Sequence, residues 1–254
     1  MIEDILPAEV ASAEAFNDSL EGPLYPEEAA QIARAVESRR REFTTARLCA
    51  RRALARLGLP PVAVPPGPLG EPRWPAGVLG SITHSTNYRA AAVARSADVL
   101  ALGIDVEPDL PLPEDLLESI ASPAEHARLL DLEQAAPSPV NWGRLLFSAK
   151  ESVYKAWFPQ GRRILDFFDA DVTFGPPLGG GDGSFRAHLL LTPLERELGL
   201  RADYSGRWLA RGGLLLTTVV TLAPARAPRP EVVIGAPQGA SIGAPRLGGY
   251  GAVL

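Results

Sequence analysis

At 254 residues, 46% hydrophobic and 22% charged, the chain is long enough to bury a real core, as one large domain or two small ones packed together. Its 25 basic and 30 acidic residues leave a formal charge of -5, which argues against a nucleic-acid footprint over the whole molecule. The single cysteine, Cys49, excludes an intramolecular disulfide and disfavours a cysteine-based zinc site.

The start, Met1-Ile2-Glu3-Asp4, is acidic and lacks the charged-then-apolar pattern of a signal segment, and no run approaches eighteen apolar residues. A soluble, cytoplasmic protein is expected. Glu27 to Leu57 reads as one long helix, with Ile32, Val36, Phe43, Leu48, Leu54 and Leu57 at three- and four-residue spacing and Gly58 as a stop. Cys49 lies inside it as a buried thiol. After a proline-rich loop, Val78–Ile82, Ala90–Ala94 and Val99–Val106 read as strands, the last ending where Pro108 forbids further pairing. Ser122-Pro123 marks a helix start, and Trp142 to Phe158 is a second strong helix. Asp171–Phe174 and Phe185–Leu191 read as strands around a Gly-rich turn (residues 179–183). Arg207–Arg211 and Leu214–Leu222 form a hairpin through Gly212-Gly213. Beyond Pro224, Pro, Gly and Ala dominate and a tail is expected over 224–254. Strands and helices mix without regular alternation, so the expected class is α+β, a mixed α/β fold other than a doubly wound sheet.

Four constellations carry chemical potential. In Gly103-Ile104-Asp105-Val106-Glu107, a strand's period of two puts both carboxylates on one face. Such a pair suits a magnesium ion, although taken alone a solvated strand face is the better reading. Further along, Glu151 and Lys155 stand four apart on a helix, either as a carboxylate and an ammonium for a cation-bound pyrophosphate or as a surface ion pair. His84, flanked by Ser81, Thr83 and Ser85, can donate to a phosphate or cap a loop. Finally, eight arginines crowd the first long helix, and Arg40, Arg47 and Arg51 share a face. They read as phosphate forks, a solvated face or, least in keeping with an acidic chain, a nucleic-acid surface.

The order and wording of these segments resemble the 4'-phosphopantetheinyl transferases, in the branch of the enterobactin-synthetase type and its actinobacterial relatives. Trp74-Pro75-Ala76-Gly77 leading to Gly80-Ser81-Ile82-Thr83-His84 is similar to that branch's first motif, and Gly103 to Glu107 to its metal motif. Phe147-Ser148-Ala149-Lys150-Glu151-Ser152-Val153-Tyr154-Lys155-Ala156 resembles the third, and Arg41-Glu42-Phe43-Thr44 with Arg47, Cys49, Ala50 and Arg51 the arginine-bearing helix.

The resemblance implies that Asp105, Glu107 and Glu151 hold Mg2+ (or Mn2+), and that Lys155 contacts the pyrophosphate of coenzyme A. It places His84, with Ser81 and Thr83, at a cofactor phosphate and Arg47 and Arg51 near the 3'-phosphate. Glu151, directly or through water, is then the candidate base for a serine of an apo acyl or peptidyl carrier protein, and adenosine 3',5'-bisphosphate leaves. The implied fold is two similar, pseudo-symmetric halves, 1–110 and 111–223, with the active site in the cleft between them, so a monomer suffices. The implied partners are coenzyme A and a carrier protein of siderophore or other secondary metabolism, docked by exposed apolar residues and surplus arginines; no nucleic acid and no membrane are implied. One departure stands out: Pro65-Pro66-Gly67-Pro68-Leu69 carries no charge where the family commonly has a basic residue, which opens the rival reading of a cofactor binder without transfer activity.

Overall fold

The computed structural model describes residues 1–18, 22–135, 140–176 and 181–224. The expected tail, apart from Pro224, and the first half of the Gly-rich turn lie outside the described residues.

Strands β1 (Val10–Ala15), β2 (Val78–Ser85) and β3 (Tyr88–Arg95) form an antiparallel sheet in the order β1-β3-β2. The β2–β3 hairpin turns at Asn87, whose φ of 56° is a left-handed conformation that asparagine tolerates. From Ala90 to Ala94 β3 is an unbroken apolar run because both of its faces are covered. Ala91 and Val93 pack with Cys49, Ala50, Ala53 and Leu54 of a long helix, while Ala90, Ala92 and Ala94 pack with Leu102, Ile104 and Val106.

The single helix expected over 27–57 is two helices, α1 (Pro26–Gln31) and α2 (Glu37–Arg56). The break has an electrostatic cause. Glu28 of α1 is fully buried and accepts from Arg51 Nη1, from Val64 N at 2.8 Å and from Tyr25 N at 3.0 Å, which pins α1 independently of the α2 axis. Arg40 folds back to donate to the carbonyls of Ala35 and Ala33 in the intervening turn.

The second sheet is antiparallel, with strand order β4-β8-β7-β6-β5: β4 (Val99–Pro108), β5 (Ala170–Phe174), β6 (Asp182–Leu189), β7 (Asp203–Arg211) and β8 (Leu214–Leu222). Gly212 and Gly213 turn the β7–β8 hairpin with φ of 62° and 76°. Three short helices follow from local capping or fill connections: α3 (Glu114–Ile120), α4 (Pro123–Ala135) and, after β6, α6 (Pro193–Glu197). As expected, Ser122 caps α4, its Oγ accepting from Glu125 N at 3.2 Å. The long helix α5 (Trp142–Gly161) buries Trp142, Leu145, Leu146, Ala149, Val153 and Trp157 in the core it shares with this sheet. Each large side chain so buried stabilises the fold by about 1.5–3 kcal/mol. The α+β class therefore stands, and residues 1–224 form one compact unit.

The two sheets meet where β2 lies beside β4 without a backbone ladder. Side-chain hydroxyls replace it: Ser81 Oγ accepts from Ile104 N and Thr83 Oγ1 from Val106 N, both at 3.1 Å. Buried amides on the edge of β4 are thereby satisfied. The other side of β4 is pressed by α5. A Cβ on Gly103 would lie 2.0 Å from the Ser152 carbonyl oxygen and 2.7 Å from Ala156 N, so only glycine permits this approach.

Candidate active site

The close packing at Gly103 brings the acidic end of β4 beside α5. Ile104 and Val106 are fully buried on one face of β4, and the alternation turns Asp105 and Glu107 to the other. On α5, Glu151 and Lys155 share a face one turn apart. Lys155 Nζ donates to Asp105 Oδ1 at 2.6 Å, and Thr83 Oγ1 donates to the same oxygen at 3.2 Å. Asp105 Oδ2, also buried, has no partner among the described residues.

Glu107 and Glu151 each sense the charge of Asp105. Burial, then repulsion from Asp105, pushes the Glu107 carboxyl up to about 7 against the opposing pull of Arg144, whose Nη1 lies 3.3 Å from Glu107 Oε2. Burial also raises Glu151, with Asp105 adding to the rise and Lys155 opposing it. Lys155 on Asp105 and Arg144 beside Glu107 offset part of this cost, and what remains favours protonation or a bound cation. Among the described residues no three acidic, histidine or cysteine groups form a ready-made metal cage, and Lys155 lies against Asp105. The orphaned Asp105 oxygen and the raised Glu107 and Glu151 nevertheless match what a hard, oxygen-seeking cation needs.

His84, at the end of β2, places Nδ1 2.7 Å from Glu42 Oε1 of α2, and Arg39 Nη1 stands 3.3 Å from Nε2. Arg47 is buried, stacks its guanidinium 4.2 Å over the Phe43 ring and leaves Nε without a partner among the described residues. Burial, which disfavours its charge, lowers Arg47 to about 10. Arg51 is placed differently: Nη1 bonds both oxygens of Glu28 and Nη2 donates to the Pro23 carbonyl, so its fork is filled from within the fold. Of the expected residues, Asp105, Glu107, Glu151 and Lys155 come together, with Thr83 behind Asp105. Ser81 sits on the seam, and Arg51 belongs to the α1–α2 junction.

Beside Lys155 opens a cavity of about 920 Å³, walled by Leu69, Trp74, Leu102, Tyr154 and Phe158 and edged by Arg73 and Arg162. Trp74 forms one wall because its Nε1 donates to Gly80 O at 2.8 Å, and a Cβ on Gly80 would strike the indole. Two charged neighbours escaped the reading of the sequence. Arg144 lies seven residues before Glu151 and so on its helical face, a signal the periodicity carried. The Glu42–His84 contact joins residues 42 apart in the chain, and nothing local announces it.

Comparison with known proteins decides the family. A model of the 4'-phosphopantetheinyl transferase N-terminal domain matches residues 27–94, and a model of the 4'-phosphopantetheinyl transferase superfamily matches residues 101–197. The chain is 48% identical over 229 residues to a 4'-phosphopantetheinyl transferase of Streptomyces mobaraensis, covering 89% of this chain and 91% of the relative. The chain belongs to the 4'-phosphopantetheinyl transferase family. A second transferase, from Mycobacterium tuberculosis, is 42% identical over 224 residues, 87% of this chain and 97% of the relative. Enterobactin synthase component D of Escherichia coli is 37% identical over 129 residues, 50% of this chain and 59% of its own length. This transferase is thus an enzyme of the family, with coenzyme A as the family's substrate. No helix among the described residues is long and apolar enough to cross a membrane.

Proposed function

We propose that this transferase moves the 4'-phosphopantetheine group of coenzyme A onto a serine of an apo acyl or peptidyl carrier protein and releases adenosine 3',5'-bisphosphate. The observation that carries the reading is the buried Asp105 carboxylate: Lys155 holds one oxygen, the other has no partner among the described residues, and its charge reaches both Glu107 and Glu151. Asp105, Glu107 and Glu151 would hold Mg2+, or Mn2+, which when bound offsets charge on the pyrophosphate. Lys155, freed from Asp105, donates to a phosphate oxygen of the departing bisphosphate. Glu151 accepts the serine proton as the Oγ–P bond forms and the pyrophosphate P–O bond breaks. The apolar cavity beside Lys155 receives part of the coenzyme, and its size is typical of a ligand site. Arg73 at its edge offers the positive charge that Pro65–Leu69 lacks, whereas Arg162 is paired with Glu71 of the same wall at 3.4 Å.

In this reading residues 1–110 and 111–223 are the two similar halves, with the active site in the cleft between them. Support comes from the pairing of each sheet with one twenty-residue helix, α2 or α5, while β4, from the first half, crosses over to complete the second sheet. A monomer working in the cytoplasm on carriers of siderophore or other secondary metabolism fits this architecture. A polynucleotide partner fits poorly, since Arg40, Arg47 and Arg51 are turned to internal tasks.

The test is mass spectrometry of apo carrier proteins incubated with the enzyme, coenzyme A and Mg2+. A gain of one phosphopantetheine, abolished by chelator and by Glu151→Gln, supports the reading. No gain with any carrier class, while coenzyme A still binds, replaces it with a binder that lacks transfer activity.

A further inference from the structure

The contact between His84 and α2 has a consequence for how the coenzyme is recognised. Arginine has only donors, so the 3.3 Å approach of Arg39 Nη1 to His84 Nε2 requires that Nε2 present its lone pair. The ring proton of a neutral imidazole then sits on Nδ1, where Glu42 Oε1, 2.7 Å away, accepts it. Arg39 also bonds Glu42 directly, which closes a three-membered cluster. In this state His84 cannot donate to a phosphate through Nε2.

We infer that Glu42 is a positioning residue for His84: it holds the free enzyme's imidazole as the Nδ1–H tautomer and stabilises it as a cation when a phosphomonoester draws Arg39 away from Nε2. The proton added to Nε2 comes from solvent, so recognition of the phosphate is coupled to uptake of a proton. The groups facing the ring agree. Burial holds His84 below the ordinary histidine value; Arg39 from α2, Lys155 from α5 and Arg89 from β3 push the same way, and among the described residues Glu42 alone opposes them. An incoming phosphate dianion supplies the missing negative charge. The inference rests on the reading of coenzyme A as substrate and adds that its 3'-phosphate is read through proton uptake.

Isothermal titration calorimetry tests this in two buffers of different ionisation enthalpy, with chelator present, using coenzyme A and 3'-dephospho-coenzyme A as ligands. Coenzyme A is expected to take up about one proton more than the dephospho form at neutral pH, and the affinity ratio of the two to fall about tenfold per pH unit as pH rises. Glu42→Gln, which keeps an acceptor but removes the charge, should at least halve the difference in uptake. Nitrogen-15 spectra of the imidazoles, three in this chain, should show the Nδ1–H tautomer at His84 in the free wild type and its loss in Glu42→Leu. A role in folding alone would move neither readout. Equal uptake for the two ligands, uptake unaffected by Glu42→Gln, or an Nε2–H tautomer in the free enzyme overturns the inference while leaving phosphopantetheine transfer intact. If neither coenzyme binds and no carrier is modified, both readings fall together.

Discussion

Two ionic clusters share helix α5 and differ in how completely their members are matched. Lys150 is almost wholly buried and meets an acceptor in each direction: Glu125 Oε2 at 2.8 Å, Ile120 O at 2.7 Å and Phe167 O at 2.8 Å. Glu125 is satisfied in turn by the amides of Ser122 and Val172, so the pair joins the α3–α4 turn, β5 and the Phe167 segment to α5. One residue on, Glu151 has no hydrogen-bond partner among the described residues and faces Asp105 and Lys155. Buried polar groups in a fold are ordinarily matched, and a cluster left unmatched marks a place reserved for something else. Adjacent residues thus serve different ends: Lys150 closes the structure and Glu151 leaves it open.

The comparison breaks if the two respond alike to neutralisation. Lys150→Ala strands Glu125 in the core, and removing one partner of a buried pair costs about 3–5 kcal/mol. Urea unfolding should show that loss directly. Glu151→Gln is expected to do the reverse, lowering carrier modification by roughly a hundredfold or more while leaving the unfolding midpoint unchanged or raised. Equal destabilisation by the two variants would make Glu151 a structural residue.

How much of this was legible beforehand depended on whether the signal was local. Alternation in Gly103–Glu107 and the four-residue step from Glu151 to Lys155 set both pairs on their faces, and the structure keeps them there. The Gly212-Gly213 hairpin and the Ser122 cap were equally local. β1 was not visible, because Val-Ala-Ser-Ala-Glu-Ala has little of the β-branched or aromatic character that marks a strand, and pairing with β3 decides it. The break between α1 and α2 also escaped, since it depends on Glu28 reaching Arg51 and Val64, both remote in the chain. Arg51 shows the same limit: its helical face was readable, but not that Glu28 would fill its fork.

Glu107 sharpens the contrast through pH. Its carboxyl titrates near 7 in the fold against about 4.5 in an ordinary carboxylate. The folded state therefore holds a proton between these values that the unfolded state has released. That stabilising contribution is complete below about 4.5 and is lost as pH rises through about 7. With chelator present, Glu107→Gln should match wild type in stability near pH 4 and exceed it by about 1–3 kcal/mol above pH 7. Added Mg2+ should close that gap by stabilising only the wild type. The apparent Mg2+ affinity should fall as pH drops below about 7, because proton and cation compete for the same carboxylate. Indifference of the wild type's unfolding midpoint to Mg2+ would detach Glu107 from any metal role.

The smallest expected effects separate the seam from the site. Ser81 and Thr83 each satisfy one amide of β4, but Thr83 alone also donates to Asp105. Ser81→Ala and Thr83→Val should each cost about 1–3 kcal/mol, the cost of leaving a buried amide unsatisfied. In enzyme that remains folded, Ser81→Ala should keep its kcat/KM. Thr83→Val should lose several-fold, because Asp105 Oδ1 then depends on Lys155 alone and holds the ammonium away from the substrate. Thr83→Ser retains both bonds and should restore activity. If Thr83→Val is as active as Ser81→Ala, the hydroxyls belong to the seam only, and Asp105 is positioned by β4 and α5 without help from β2.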